Sequence, residues 1–186
     1  LMIQKLSFGK PTHVLDVGGY GGKLSWFLPD ETKIIILDQK PNPLSQPQEQ
    51  FEEQLPNEQY MQGDARNLPF PDNSFEIVVA SDLLEHVKSE DRQKVLSELC
   101  RVSKDYVIMG APFYRDVVQN IEHIISQQYV ENTGNVHPFL MEHKNLGLPD
   151  QTLVEKYLHE QNYQFFHIQE GNVVNWALQQ LSIGMK

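Results

Sequence analysis

Apolar runs alternate with segments of helical period along most of this chain. That is the pattern of a parallel sheet covered by helices. The spacing predicts strands over His13–Val17, Lys33–Asp38, Gln59–Gly63, Phe75–Ala80, Tyr106–Gly110 and Tyr163–Ile168. Lys23–Phe27 reads as the start of a helix after the first strand. Between the fourth and fifth strands, Ser89 is predicted to cap a helix whose Glu90 and Asp91 suit its positive end. Val95, Leu96, Leu99 and Val102 then form one stripe facing the sheet. Val117–Val130 reads as a further helix. Asp150 is placed to cap another, carrying Leu153, Val154, Tyr157 and Leu158. A last helix is predicted over Asn172–Lys186, with no seventh strand after it.

The pattern breaks in two places. Pro41, Pro43 and Pro47 mark an irregular crossover after the second strand, and Gln46–Gln59 carries at most a short helix. Glu131–Leu148, with Gly134, Pro138 and Gly147, shows no period and is expected to be a long loop, a lid or acceptor-binding segment. The whole of 1–186 is expected to form one domain. Its abrupt ends suggest a piece of a longer polypeptide.

Composition narrows the partners. Of 186 residues 40% are apolar, enough for a sizeable core, and the net charge is −10. An acidic chain is a poor phosphate binder, so no nucleic-acid partner is expected. No apolar run approaches the roughly 20 residues of a membrane span. A single cysteine, Cys100, excludes an internal disulfide and a cysteine-based zinc site. Its apolar neighbours predict a buried core thiol. These features together suggest a cytoplasmic protein.

The chemistry concentrates after the first strand. Val14–Gly22 reads V-L-D-V-G-G-Y-G-G, an apolar strand running into four glycines. Such a turn lets a ligand approach where a Cβ would block it, and a following helix offers unpaired N–H groups. Asp38 ends the second strand about 20 residues further on, where an acid can accept from both ribose hydroxyls. Asp64, after the third strand, stands at the carboxyl edge of the sheet and can accept from an exocyclic amine. The spacing Gly18-Gly19-Tyr20-Gly21-Gly22 does not give G-x-G-x-x-G, which argues against a nicotinamide dinucleotide.

Taken together, V-L-D-V-G-G-Y-G-G, I-L-D and G-D-A-R-N-L-P-F-P-D-N-S-F-E-I-V-V-A-S-D-L-L-E-H-V resemble the class I methyltransferases that use S-adenosyl-L-methionine, in particular the type 11-like domains. The resemblance is clear from Val14 to about Pro112. It implies an α/β, Rossmann-like, doubly wound and mostly parallel sheet with helices on both faces. It also implies that Asp16, Gly18, Gly19, Tyr20 and Gly22 surround the methionine part of the cofactor. Asp38 would hold the ribose and Asp64 the adenine amine. Ala65 would donate its N–H to the ring, and Ser81 would lie beneath the cofactor. Tyr20 replaces the middle glycine of the pattern D-x-G-x-G-x-G, so its ring must turn outward or close over the methionine pocket.

Methyl transfer requires alignment of an acceptor, exclusion of water and, for a protonated acceptor, a base. His86 is the first candidate for that base, with His137 and His143 next. Asp82, Glu85 and His86 fall at i, i+3 and i+4, where oxygen and imidazole ligands could gather a divalent ion. The segment is equally typical of members without one, and no metal is expected. His137-Pro138-Phe139-Leu140-Met141-Glu142-His143 and Gly147-Leu148-Pro149-Asp150 resemble a segment of methyltransferase domains attached to glycosyltransferases in bacterial glycan pathways. That implies a sugar or other small acceptor, O-methylation and attached glycosyltransferase domains. The alternative is a non-catalytic cofactor-binding module of a larger glycan-biosynthesis protein.

Overall fold

The computed structural model describes residues 12–20, 24–41 and 57–164. Five parallel strands form one sheet: β1 (His13–Val17), β2 (Lys33–Asp38), β3 (Glu58–Gln62), β4 (Phe75–Ser81) and β5 (Ser103–Gly110), in the order β3-β2-β1-β4-β5. The direction of winding reverses between β1 and β4, and ligands of such sheets bind beyond the carboxyl ends at that reversal. β1 and β2 have the predicted bounds. β3 is displaced by one residue toward the N-terminus. β5 begins three residues earlier than predicted, because the polar Lys104 and Asp105 are exposed and break the apolar signal.

Parallel strands are buried on both faces, which explains their continuous Val/Ile/Leu runs. Val14, Ile34, Ile36, Ile77 and Val79 project to one face and pack with Leu28, joined by the half-buried Leu24, Tyr60 and Ile108. Leu15, Leu37 and Val78 alternate to the other face and are fully buried. Register sets Val14 beside Ile34 and Ile77, and Asp16 beside Ile36 and Val79. Strand alternation thus delivers Asp16 to the end of β1 as a buried carboxyl among apolar neighbours.

Four α-helices lie among the described residues: α1 (Ser89–Val102), α2 (Asp116–Thr133), α3 (Pro138–Leu146) and α4 (Gln151–Glu160). The α1 stripe is as expected, with Val95, Leu96, Leu99 and Val102 buried. Cys100 is half-buried rather than a core thiol. Asp150 caps α4 by accepting from the N–H groups of Thr152 and Leu153, although Leu153 of the predicted stripe is exposed. Residues 24–27 form a 3₁₀ turn rather than the start of an α-helix.

The expected loop over 131–148 is corrected. Glu131, Asn132 and Thr133 complete α2, which ends at Gly134 with φ of 72°. Residues 138–146 then form α3, with Pro138 in its first turn. The predicted strand at 163–168 lies largely, and the helix at 172–186 wholly, outside the described residues. So do Gly21, Gly22, Lys23 and most of the predicted 46–59 helix.

The chain groups into two units. One holds the described residues up to Leu83 together with Asp91–Gly110, and contains the sheet. The other holds Leu84–Glu90 and the described residues from Ala111 onward. No helix among the described residues is long and apolar enough to cross a membrane.

Candidate functional site

In the sheet unit, the first turn leaves β1 through Gly18, whose φ of 81° lies in the left-handed region. Its N–H donates to the Leu37 carbonyl at 2.8 Å, tying the turn to β2. A Cβ on Gly19 would collide with the Asp16 carboxylate. The absence of a side chain there is what lets the loop lie over Asp16. Burial pushes the Asp16 carboxyl up to about 7, with Asp38 and Glu58 adding repulsion.

Tyr20 turns toward the end of β2. Its ring is half-buried and carries the Lys40 ammonium 4.7 Å from its centroid. Asp38 closes β2, accepting the Lys40 N–H through Oδ1 at 2.8 Å, while its carbonyl accepts from the Gly63 N–H at 2.8 Å. A carboxylate has lone pairs beyond that one bond for two hydroxyls. Burial and the neighbouring Asp38 push the Tyr60 phenol above its ordinary range, and its hydroxyl donates to the Lys40 carbonyl at 3.2 Å.

Beyond β2 and β3 opens a cleft of about 420 Å³ lined by Gln39, Gln62, Gly63, Asp64 and Arg66. Asp64 is more engaged than the sequence suggests. The Arg66 guanidinium donates from Nε to both carboxylate oxygens at 3.0 Å and from a terminal nitrogen to Oδ2 at 2.7 Å. The Arg66 backbone N–H adds a bond to Oδ1 at 2.9 Å. These bonds hold the Asp64 carboxyl below its ordinary range. The other arm of Arg66 reaches Asp91 on α1 at 2.9 Å, so the loop after β3 is tied to that helix. Ala65 is buried within the same turn. Ser81 ends β4 exposed, with its Oγ 3.4 Å from Asp82.

Arg66 and the Lys40–Tyr20 stack escaped the sequence reading. The first had one visible signal, an arginine two residues after the acid in G-D-A-R. The second arises only when the ends of β1 and β2 are brought side by side.

These features fit the cofactor that the resemblance implies. Gly19 leaves no room for a Cβ, an acid closes β2 and a polar cleft opens beyond β3, a set of groups chemically suited to a nucleoside-type ligand. Asp16 and Asp38 lie at the ends of β1 and β2, Gly18, Gly19 and Tyr20 in the turn after β1, and Asp64 and Ala65 in the turn after β3. Ser81 lies at the end of β4.

His86, His137 and His143 belong to the other unit. His86 closes a 3₁₀ turn over Leu84–His86, and its Nδ1 lies 2.9 Å from Glu142 Oε2 on α3. Its ring meets those of Phe139 and His143, with centroids 5.7 Å and 5.1 Å away. His143 Nδ1 lies 2.8 Å from Glu122 Oε1 on α2. His137 is buried and accepts from the Leu140 N–H at 3.4 Å, so its ring caps α3. Burial, with His143 adding repulsion, lowers its affinity for a proton.

Parallel winding with a glycine turn and acids at successive strand ends defines a nucleoside-type cofactor fold. Comparison with known proteins makes it specific. The model of a family described as a methyltransferase domain matches residues 14–106, half of the chain. The chain therefore belongs to the methyltransferase domain family, the class I enzymes that use S-adenosyl-L-methionine. It is 30% identical over 144 residues to the ubiquinone/menaquinone biosynthesis C-methyltransferase UbiE of Francisella tularensis subsp. novicida, covering 74% of this chain and 56% of that protein. To the protein of the same name from an Enterobacter species it is 25% identical over 180 residues, covering 86% of the chain and 70% of the relative. The chain spans little more than half the length of the Francisella relatives. Among solved structures, the YcgJ protein of Bacillus subtilis superposes with a TM-score of 0.62 at 16% identity, covering 95% of this chain and 75% of that one. A methyltransferase from Aquifex aeolicus gives 0.54 at 17% identity, covering 89% and 79%. At such identities the two structures speak for the fold alone.

Proposed function

We propose that this chain transfers a methyl group from S-adenosyl-L-methionine to a small-molecule acceptor, with oxygen as the favoured methylated atom. The observation that carries it is the buried Asp16 under a side-chain-free Gly19, with the Asp38 carboxylate at the end of the neighbouring strand close enough to repel it. When bound, the cofactor supplies a methyl already made electrophilic by its sulfonium, so the chain's task is binding, alignment and exclusion of water. In this proposal Asp16 and the Gly18–Tyr20 turn hold the methionine end and Asp38 the ribose. Asp64, steadied by Arg66, and the Ala65 N–H face the adenine, and Ser81 lies beneath the cofactor.

For a hydroxyl acceptor, His86 is the proposed proton acceptor, its ring oriented by Glu142. His137 is assigned to capping instead. A sugar acceptor and an attached glycosyltransferase rest on the H-P-F-L-M-E-H resemblance. A second reading, methylation of a quinone-ring carbon, is favoured by the curated relatives, which are named as C-methyltransferases.

The test offers the purified chain S-adenosyl-L-methionine with sugars, sugar nucleotides and reduced quinones in parallel, and follows the demethylated cofactor product. Turnover on a sugar supports the first reading and on a quinol the second. Cofactor binding without turnover on either class points to the non-catalytic module.

A further inference from the structure

Glu85, His86 and His143 converge within the second unit. One ligand atom from each lies within 4.8 Å of the others. The 3₁₀ turn supplies Glu85 and His86, and α3 supplies His143. Glu85 is 1% exposed and His143 7%, so both are enclosed. His143 Nε2 is buried with no hydrogen-bond partner among the described residues. A buried ring nitrogen left in that state is unfavourable unless something fills it.

The surroundings say what would fill it. His143 Nδ1 is held by Glu122 at 2.8 Å and His86 Nδ1 by Glu142 at 2.9 Å. A carboxylate on Nδ1 fixes the tautomer with the proton there and leaves Nε2 as a lone-pair donor. That carboxylate–histidine pairing is the usual support of metal-bound imidazoles. Three acidic side chains thus surround the two imidazoles, with Glu85 and Glu122 on the enclosed side and Glu142 toward the surface.

We propose that Glu85, His86 and His143 bind one zinc ion, with Glu122 and Glu142 orienting the two imidazoles. Two nitrogens and a carboxylate oxygen suit zinc rather than magnesium, which prefers oxygen alone. Tetrahedral zinc with bonds of about 2.1 Å sets its ligand atoms roughly 3.4 Å apart. The side chains need draw together by no more than about 1.4 Å, within rotamer reach. Three protein ligands leave the fourth position open. Asp82, which shares helical spacing with Glu85 and His86, is not a member of the cluster, and His143 is its third residue. A zinc-bound His86 accepts no proton, so the base role proposed for it belongs to the zinc-free form.

The test reads metal binding itself and is independent of methyl transfer. The chain, stripped with a chelator, is titrated with zinc chloride by calorimetry and with cobalt chloride followed by visible absorption. The expected result is one ion per chain, not displaced by excess magnesium, with intense cobalt bands characteristic of a low-coordinate nitrogen–oxygen site. His143→Ala and Glu85→Gln should weaken binding by about tenfold or more, and Glu122→Gln by about tenfold. His159→Ala, at the exposed end of α4, should leave it unchanged. Folding of each variant is checked by circular dichroism. Should a variant fail to fold, histidine ring proton shifts of the wild-type chain on zinc addition locate the ion at His86 and His143. Absence of saturable one-to-one binding, displacement by magnesium, full affinity in folded His143→Ala, or ring shifts confined to other histidines would each overturn the proposal.

Discussion

Replacing Asp16 by Asn tests the electrostatics beneath the glycine turn. The carboxyl titrates at about 7 in the folded chain against 3.8 as its ordinary value, chiefly because it is buried. The folded state therefore binds this proton more tightly than the unfolded state. The stability owed to that proton is fully present below pH 3.8 and is lost as pH rises through about 7. At roughly 1.4 kcal/mol for each tenfold in proton affinity, the loss amounts to about 4 kcal/mol at pH 8 and a little under 2 kcal/mol at pH 5. Asn fills nearly the same space and carries no charge at either pH. Relative to wild type, Asp16→Asn should gain about 2–3 kcal/mol between pH 5 and pH 8. Urea unfolding of both proteins at the two pH values measures this directly, and subtracting one from the other removes the titrating groups that do not interact with Asp16, leaving those of Asp16 and its neighbours Asp38 and Glu58. A difference that stays constant with pH would refute the reasoning, since it would mean that Asp16 ionises as it does in water. The same group should make binding of the cationic cofactor end strengthen as pH rises through 7, a dependence absent from the Asn variant.

Two further predictions concern contacts that tertiary structure reveals. Arg66→Ala should weaken S-adenosyl-L-methionine binding severalfold by releasing Asp64, and Arg66→Lys should restore only part of it, because lysine lacks the planar fork. Equal affinity for all three proteins would show that Asp64 needs no such support. His137→Ala should cost about 1 kcal/mol of stability through loss of the α3 cap, and His137→Asn should recover most of it. A catalytic histidine would behave otherwise, losing turnover in both variants with stability retained.

What the sequence revealed follows from how each element is encoded. β1 and β2 are short, dominantly aliphatic runs bounded by polar residues or glycine, so their bounds were legible residue by residue. β3, reading E-Q-Y-M-Q, lies at the sheet edge among the described strands, and its polar composition blurred its start. α3 went unseen because its nine residues bury only Leu140 and His143, too few to set a period, and its cap is a histidine rather than Ser, Thr, Asp or Asn. The acids at strand ends could be found because the chain itself spaces them behind the glycine turn. Glu142 beside His86, Glu122 beside His143 and Arg66 beside Asp91 depend on packing of separate segments. Spacing along the chain carries no trace of such pairs.

Calorimetric titration of the purified chain with S-adenosyl-L-methionine is the most direct measurement of all, made with wild type and Asp38→Ala side by side. Wild type should bind one molecule per chain, and loss of the Asp38 carboxylate, a charged hydrogen-bond acceptor, should weaken binding by about tenfold or more. Absence of binding in the wild type, to both the cofactor and its demethylated product, or undiminished affinity in Asp38→Ala, would contradict the cofactor site described at the strand ends.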